Sequence, residues 1–336
     1  MKSNVSMKSN ILVSVVMPIY NEEKYIENCI ESLLLQDFPK EKMEWIFVDG
    51  CSSDKTVKIV EKYIEIYPGM ISILENKNKT VPYAMNLGIK NACGKYIVRL
   101  DAHADYNKDY ISKCVYYLDT TDADNVGGIA ITKSKGFAGN AIAMMLSSKF
   151  GVGNSQFRIN GVSGYVDTVP FGAFRKEVFE KWGGYDIRLT RNQDNEMNYR
   201  IRKNGGKIYL SDDIKFSYYC RDSISGIVDM AIKNGMWNII TMKLCPGSMG
   251  VRHFIPFLFL MSLIFLPLFS LFSSIFLYLL FAELILYFVL DILFSIKASS
   301  EIKYLPLVIL LFPIFHITYG YGSLKGLFKI FSKEYK

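Results

Sequence analysis

The chain has 336 residues, of which 50% are hydrophobic, and its 39 Lys and Arg residues exceed its 32 Asp and Glu residues, giving a formal net charge of +7. This charge suits an anionic membrane surface or a phosphorylated substrate. The basic residues form no long run, so we expect no nucleic-acid partner. Residues 1–10 form a polar N-terminal tail without the apolar centre of a signal peptide, which predicts a cytosolic first domain. The six cysteines contain no C-x-x-C pair, and we expect reduced thiols.

Strand and helix patterns alternate through the first hundred residues. Short runs rich in Val, Ile and aromatic residues predict strands, and amphipathic segments predict a helix after each of the first three strands. The predicted strands cover residues 11–17, 45–48, 71–74 and 96–100. This alternation predicts an α/β fold with a doubly wound, mostly parallel sheet.

Polar side chains follow three of the predicted strands. They are Pro18, Tyr20, Asn21 and Glu22 after the first strand, Asp49 and Asp54 after the second, and Asp101, His103 and Asp105 after the fourth. Ligands of open α/β sheets bind beyond the carboxyl ends of the strands. Carboxylates at that edge suit a nucleotide held through a divalent cation, Mg²⁺ or Mn²⁺. Neither a P-loop nor a G-x-G-x-x-G motif follows a strand, so kinase and dinucleotide functions lack their usual support.

The segment after the fourth strand has two interpretations. Asp101, His103 and Asp105 alternate, so an extended chain would point all three side chains to one side as possible metal ligands. A solvated turn explains the same residues equally well, because Asp is common where strands end.

The C-terminal third is apolar. Residues 223–250 have loosely helical apolar spacing, which predicts an amphipathic helix at the membrane interface. Residues 251–324 are predicted to form transmembrane helices at about 254–272, 275–293 and 304–323, followed by a basic tail at 325–336. Lys233, Lys243 and Arg252 precede the first span and favour a cytosolic N-terminal domain. Three crossings would leave the basic tail outside, so either the third segment is re-entrant or the number of spans differs.

Three segments in this order resemble the family 2 glycosyltransferases, whose fold is called GT-A. They are V-M-P-I-Y-N-E-E at residues 16–23, V-D-G-C-S-S-D-K-T at 48–56, and the stretch that begins at Asp101. The resemblance implies a GT-A nucleotide-diphospho-sugar transferase domain at residues 11–222. It also implies that Asp49 contacts the nucleobase, that Pro18 to Glu22 lie along the nucleoside together with Asp54, and that Asp101 belongs to a D-x-D metal motif.

The metal motif departs from the family pattern at its third position. His103 stands where the family has Asp, so His103, Asp105 or water is left to complete the coordination. Imidazole is a poorer ligand for Mg²⁺ than for Mn²⁺, so the change bears on the choice of metal. Alternatively, His103 hydrogen-bonds to a neighbouring loop.

A narrower subgroup, the succinoglycan-synthesis type of membrane-bound glucosyltransferase, is similar in three stretches: residues 101–104, the Gly-rich loop at 150–158, and residues 167–175. The resemblance implies that the middle region shapes the acceptor side, although the Gly-rich loop alone is also typical of a flexible connector. The residues assigned to this side are Gly153, Asn154, Phe171, Gly172 and Trp237. Trp237 is equally suited to stack near the substrate or to anchor the chain at the membrane interface.

Inverting sugar transfer needs a carboxylate that takes the proton of the acceptor hydroxyl. In the family this base comes from a Glu-Asp pair near the start of a helix, and the matching positions here are Gln193 and Asp194. The resemblance therefore implies that Asp194 is the base. The alternative is a negative charge that is favoured only by the helix macrodipole.

The expected protein is an inverting hexosyltransferase of the inner or plasma membrane, multi-pass, with a cytosolic catalytic domain. We expect a UDP-sugar as donor and a lipid-linked saccharide as acceptor, in polysaccharide or glycoconjugate synthesis. One alternative is an enzyme that transfers the sugar to polyprenyl phosphate. An alternative of another class is a non-catalytic membrane protein that binds a sugar nucleotide as a partner of other synthases.

Overall fold

A computed structural model describes residues 10–159 and 161–331, and the chain folds as two compact units. The first unit contains the described residues up to Ile131 and those from 161 to Tyr218. The second contains Thr132–Ile159 and the described residues from Tyr219 onward. The predicted N-terminal tail falls almost entirely outside the described residues, as does the end of the predicted basic tail.

The helices and strands are numbered in chain order. The strands are β1 Val13–Ile19, β2 Met43–Asp49, β3 Ile71–Glu75, β4 Tyr96–Arg99, β5 Ala104–Tyr106, β6 Asn125–Lys133, β7 Gly164–Tyr165, β8 Ala173–Arg175 and β9 Ile208–Tyr219. The helices are α1 Ile26–Leu34, α2 Thr56–Ile66, α3 Val81–Asn91, α4 Tyr110–Thr120, α5 Gly136–Leu146, α6 Lys149–Val152, α7 Glu177–Trp182, α8 Gln193–Lys203, α9 Ile224–Leu244, α10 Ile255–Ser270, α11 Ile275–Ala298 and α12 Leu305–Ile330.

The described strands form a mixed sheet in the order β3-β2-β1-β4-β8-β6-β9-β5, with β7 beside β9. The strands β3, β2, β1 and β4 are mutually parallel and are joined by α1, α2 and α3, so the predicted α/β alternation is confirmed. Beyond β4 the sheet departs from the parallel arrangement, because β8 runs antiparallel to both β4 and β6. The strands β5 and β7 likewise pair antiparallel with β9.

The register of the parallel strands brings the predicted polar residues to one edge. Ile19 at the end of β1 pairs with Asp49 at the end of β2, and Val16 pairs with Arg99 at the end of β4. The strands β1, β2 and β4 are buried on both faces, which explains their continuous apolar runs. The loops after β1, β2 and β4 therefore leave the sheet side by side.

The second unit is helical. Its core includes Ile142 and Met145 of α5, Ile227 of α9, and Leu311 and Phe312 of α12. Two described helical segments, Ile275–Ala298 and Ile302–Ile330, are long and apolar enough to cross a membrane, whereas Ile255–Ser270 is shorter. Residues 271–274 separate α10 from α11, and the number of membrane spans stays a prediction.

Small residues let α9 and α12 approach closely. A Cβ atom built on Gly235 would lie 2.0 Å from the Tyr319 carbonyl oxygen, and one on Gly322 would lie 2.1 Å from the Ile232 carbonyl oxygen. Close helix packing through small residues is common in membrane proteins. One face of α9 is therefore packed against α12, while its position at a membrane interface stays a prediction.

Candidate active site

A pocket of about 140 Å³ lies in the first unit, at the carboxyl ends of β1, β2 and β4. Five of the predicted site residues line it: Pro18, Tyr20, Glu22, Asp101 and His103. Residues that the sequence analysis did not single out contribute the remainder, among them Asn76, Lys79, Thr80 and Arg99. The pocket is the position that the sheet topology favours for a ligand.

Asn21 joins the loop after β1 to the loop after β2. Its φ of 54° lies in the left-handed region, which Asn tolerates better than most residues. The Asn21 side-chain oxygen accepts from the Ser53 N–H at 2.8 Å, and the Asn21 N–H donates to the Ser52 hydroxyl at 2.9 Å. Asn21 thus shapes the rim of the pocket without being part of its lining.

Asp54 and Asp49 organise the same pair of loops. Asp54 accepts from the Thr56 hydroxyl at 2.6 Å and from the Glu23 N–H at 3.1 Å. Desolvation acts to raise the pKa of the Asp54 carboxyl, but the hydrogen bonds that it accepts together outweigh this effect and lower the pKa. Asp49 is buried and accepts from the Ser52 N–H at 3.0 Å and the Ser52 hydroxyl at 2.5 Å. Neither carboxylate belongs to the pocket lining, and a direct donor contact by either stays a prediction.

Arg99 connects the two carboxylates that the sequence analysis placed at the centre of the chemistry. Its guanidinium Nη2 lies 3.4 Å from Asp101 Oδ1, and its Nη1 donates to Asp194 Oδ1. Only 6% of the Arg99 side chain is exposed, against 33% for Asp194. Asp194 lies in the first turn of α8, which follows Asn192 in a left-handed conformation. One buried cation therefore holds both carboxylates at the same edge of the sheet.

The charges around Arg99 are strongly coupled. Burial acts to lower the pKa of the Arg99 guanidinium, but the adjacent Asp194 and Asp101 outweigh it and raise the pKa, so Arg99 stays protonated. Burial raises the pKa of the Asp194 carboxyl above its usual range, and Arg99 opposes that rise.

Arg99 Nε and Gln193 Oε1 are buried without a hydrogen-bond partner among the described residues. Buried polar atoms of this kind are often satisfied by a ligand or water.

Phe171 and Gly172 both contact Arg99. The Gly172 carbonyl accepts from the Arg99 N–H at 3.0 Å, and the Phe171 ring centroid lies 5.9 Å from the guanidinium carbon. A Cβ on Gly172 would lie 2.1 Å from Asn125 Oδ1, which explains why glycine is needed there. Both residues lie beside Arg99 and outside the pocket lining, so their predicted role toward the acceptor stays a prediction.

The predicted metal ligands differ in their positions. Asp101 and His103 both line the pocket, and His103 Nδ1 lies 3.4 Å from Glu22 Oε1. Asp105 lies in β5, opposite Ser217 of β9, and is not part of the lining. No group of three or more His, Cys, Asp and Glu side chains among the described residues forms a metal site by itself. A single carboxylate fits a cation that is held mainly by diphosphate and water, as is usual for Mg²⁺.

The remaining predicted residues belong to the second unit. Gly153 ends α6 with a φ of 64° and a ψ of −143°, a conformation that essentially only glycine adopts. The exposed Asn154 follows it and accepts from Arg252. Trp237 lies on α9 with its side chain partly buried.

Sequence reasoning missed Arg99 and Lys79. Arg99 occupies an otherwise apolar strand, and a charged residue in a buried strand requires a partner, which was the available signal. Lys79 has a φ of 59° in the loop after β3, and no local pattern marked it as part of the pocket.

Comparison with known proteins identifies the family. The protein-family model described as Glycosyl transferase family 2 matches residues 14–183. The chain belongs to glycosyltransferase family 2. The α/β unit and its pocket are accordingly the GT-A domain of a glycosyltransferase, as the sequence analysis expected.

Individual relatives of this family 2 chain agree with the assignment. It is 30% identical to dolichyl N-acetyl-alpha-D-glucosaminyl phosphate 3-beta-D-2,3-diacetamido-2,3-dideoxy-beta-D-glucuronosyltransferase of Methanococcus voltae, over 94% of this chain and 97% of the relative. It is 31% identical to succinoglycan biosynthesis protein ExoA of Rhizobium meliloti, over 62% of this chain and 63% of the relative. The predicted resemblance to the succinoglycan-synthesis type is thereby confirmed.

The fold of the family 2 chain also matches a solved structure. Mannosyltransferase PcManGT from Pyrobaculum calidifontis, in complex with GDP-Man and Mn²⁺, superimposes with a TM-score of 0.65 at 18% identity, over 94% of this chain and 87% of that chain. At this level of identity the likeness bears on the fold.

Proposed function

We propose that the protein transfers a sugar, with inversion, from a nucleotide-diphosphate sugar to a lipid-linked saccharide at a membrane. The observation that carries the proposal is the contact of one buried cation, Arg99, with both Asp101 and Asp194. A carboxylate suited to the donor diphosphate and a carboxylate suited to the acceptor hydroxyl thus lie on either side of the same guanidinium.

The donor would occupy the pocket above β1, β2 and β4. Pro18, Tyr20 and Lys79 line it, as do His103 and Asp101, and Asp101 contacts Arg99. Asp101, with His103, would hold a divalent cation, which neutralises the diphosphate charge and stabilises the leaving group when bound. Asp105 is the less favoured partner because it lies outside this lining. We propose a uridine base, with Asp49 supporting the base-binding edge.

Asp194 would act as the general base. As the acceptor oxygen bonds to the anomeric carbon, its proton passes to the Asp194 carboxylate, and the nucleoside diphosphate leaves from the opposite face. A carboxyl with a pKa above its usual range is a better proton acceptor than an exposed aspartate. Arg99 holds the carboxylate in one orientation.

The relatives support a lipid-linked acceptor. The Methanococcus voltae relative is by name a transferase acting on a dolichyl sugar phosphate, and the Rhizobium meliloti relative is a succinoglycan biosynthesis protein. The apolar helices of the second unit would hold the enzyme at the membrane where such an acceptor lies. We propose a multi-pass protein of the cell membrane with its GT-A domain in the cytosol.

The test is sugar transfer by the full chain in membranes. Radiolabelled UDP-sugars and GDP-sugars are offered with Mg²⁺ or Mn²⁺, and the lipid products are separated and sized. We expect a lipid-linked saccharide that is one sugar longer than the acceptor. A single sugar on one phosphate would favour the polyprenyl-phosphate alternative. Nucleotide binding without any turnover would favour the non-catalytic alternative and contradict the proposal.

A further inference from the structure

Arg252 joins two separate segments of the second unit. Its guanidinium Nη1 donates to Asn154 Oδ1 at 2.9 Å, and its Nε donates to His253 Nε2 at 3.3 Å. Asn154 follows the Gly-rich turn after α6, whereas Arg252 comes just before the apolar helix α10. The contact therefore links a polar loop to the start of an apolar helix.

Asn154 is exposed, and only its side-chain oxygen takes part in the contact with Arg252. The left-handed φ of Gly153 allows the chain to reverse, and the Arg252 Cβ and Cδ atoms pack against this glycine. Because Asn154 Oδ1 accepts from Arg252, the amide nitrogen of Asn154 is directed away from that contact. Asn154 is exposed and Arg252 is only partly buried, so a ligand can reach both side chains.

The charge of the surrounding sequence favours an anion. No Asp or Glu occurs between Asp124 and Asp167, and none occurs between Asp229 and Glu283. These stretches contribute Lys149 and Arg158 together with Arg252. Arg binds phosphate strongly because its planar fork of N–H groups matches the phosphate oxygens.

We propose that Arg252 and Asn154 bind the phosphate of the lipid-linked acceptor. This inference rests on the proposed function and adds a site to it, because it assigns recognition of the lipid phosphate to two residues of the second unit. The Arg252 guanidinium and the Asn154 amide would each donate to phosphate oxygens, and the apolar surface of α10 offers a path for the lipid chain.

Replacement of Asn154 by Asp tests phosphate binding without disturbing the fold. Asn154→Asp keeps an acceptor for Arg252 and turns the contact into an ion pair, so the fold is retained. The same change removes the outward amide donor and adds a negative charge beside the phosphate. In phosphatidylcholine nanodiscs without donor, we expect the Kd of the full-length protein for a polyprenyl phosphate to rise about tenfold. Arg252→Gln should weaken binding by a similar factor.

Lys243→Gln is the matched control. It removes one exposed cation from the same unit, and we expect a change in Kd of less than about twofold. Donor KM should be unchanged in all three variants, and thermal unfolding should show that each is folded. Equal binding of polyprenyl phosphate by wild type and Asn154→Asp would overturn the inference. Displacement of the polyprenyl phosphate by an equal amount of phosphatidylglycerol would also overturn it, because the site would then serve bulk anionic lipid.

The binding assay tests the inference and the transfer assay tests the proposed function, so a negative result in one does not imply a negative result in the other. A wild-type protein that transfers sugar but does not bind polyprenyl phosphate through these residues contradicts only the inference. A protein that binds polyprenyl phosphate in an Asn154-dependent manner but never transfers sugar contradicts only the proposed function.

Discussion

Arg99 donates a hydrogen bond to Asp194, although 95 positions separate the two residues in the chain. The pair joins the end of a central parallel strand to the first turn of α8. Because the Arg99 side chain is almost fully buried, replacing Arg99 leaves the Asp194 carboxylate without its paired cation. The ion pair therefore sets both the position and the proton affinity of the proposed base.

Replacing Asp194 by Asn should remove the base while keeping its shape. We expect kcat for sugar transfer to fall by a factor of about 10² to 10⁴, because general-base catalysis contributes that much. Nucleotide-sugar binding, measured by thermal shift, should be retained. The control is Asp37→Asn, which changes an exposed aspartate of the same unit and should leave kcat unaltered. Full transfer activity in Asp194→Asn would disprove the assignment.

Arg99 should control the pH dependence of transfer. Burial raises the pKa of Asp194 and Arg99 holds it down, so activity should fall as the pH decreases through a pKa above the usual aspartate value. Arg99→Met removes the positive charge that lowers the pKa of Asp194. The acidic limb of the pH profile of kcat/KM should then move to higher pH by about one unit or more. Arg99→Lys keeps the charge and should shift the limb less. An identical acidic limb in wild type and Arg99→Met would contradict this role.

Asp101 and Asp105 should differ in their effect on metal binding. Asp101 lines the pocket, whereas Asp105 lies in β5 outside it. We expect Asp101→Asn to weaken Mn²⁺ binding in the presence of UDP by about tenfold or more, measured by electron paramagnetic resonance. Asp105→Asn, with the same loss of one charge, should have a much smaller effect. The opposite ranking would make Asp105 the ligand.

His103 should influence the choice of metal. Restoring the family residue in His103→Asp replaces an imidazole by a hard carboxylate oxygen. The ratio of activity with Mg²⁺ to activity with Mn²⁺ should therefore rise by about threefold or more relative to wild type. His103→Asn, which carries no charge, serves as the control. An unchanged metal ratio in His103→Asp would favour the alternative in which His103 only bonds to Glu22.

The parallel half of the sheet was predictable because its signals are local. Each of β1 to β4 is a short apolar run that ends in polar residues, and each of the first three is followed by an amphipathic helix. β9 was missed because Asp212 and Asp213 interrupt its pattern, and its pairing with β5 and β7 depends on distant segments. Local patterns also showed which carboxylates follow the strands. They did not show that Arg99 would join two of them, since that contact exists only after residues 95 positions apart meet.

Local sequence patterns also did not show which unit contains the segment from Thr132 to Ile159. Its apolar helix α5 has the composition of an ordinary core helix, so the sequence assigned it to the α/β domain. In the structure it belongs to the helical unit, where Ile142 and Met145 pack with Phe312 of α12. Periodicity predicts that a helix has an apolar face but does not say which neighbour covers that face.

Close packing of α9 against α12 predicts a steric limit at Gly322. An added Cβ would lie 2.1 Å from the Ile232 carbonyl oxygen, so the backbones must separate. Overpacking of this kind lowers the free energy of unfolding by about 1–3 kcal/mol. The higher helix propensity of Ala over Gly raises it by only up to about 1 kcal/mol. Gly322→Ala should therefore lower the Tm of the detergent-solubilised protein by several degrees. Gly250→Ala is the matched control, because nothing lies within 4 Å of its added Cβ and its φ of −75° suits alanine. A Tm for Gly322→Ala equal to that of Gly250→Ala would mean that α9 and α12 are not held this closely in the solubilised protein.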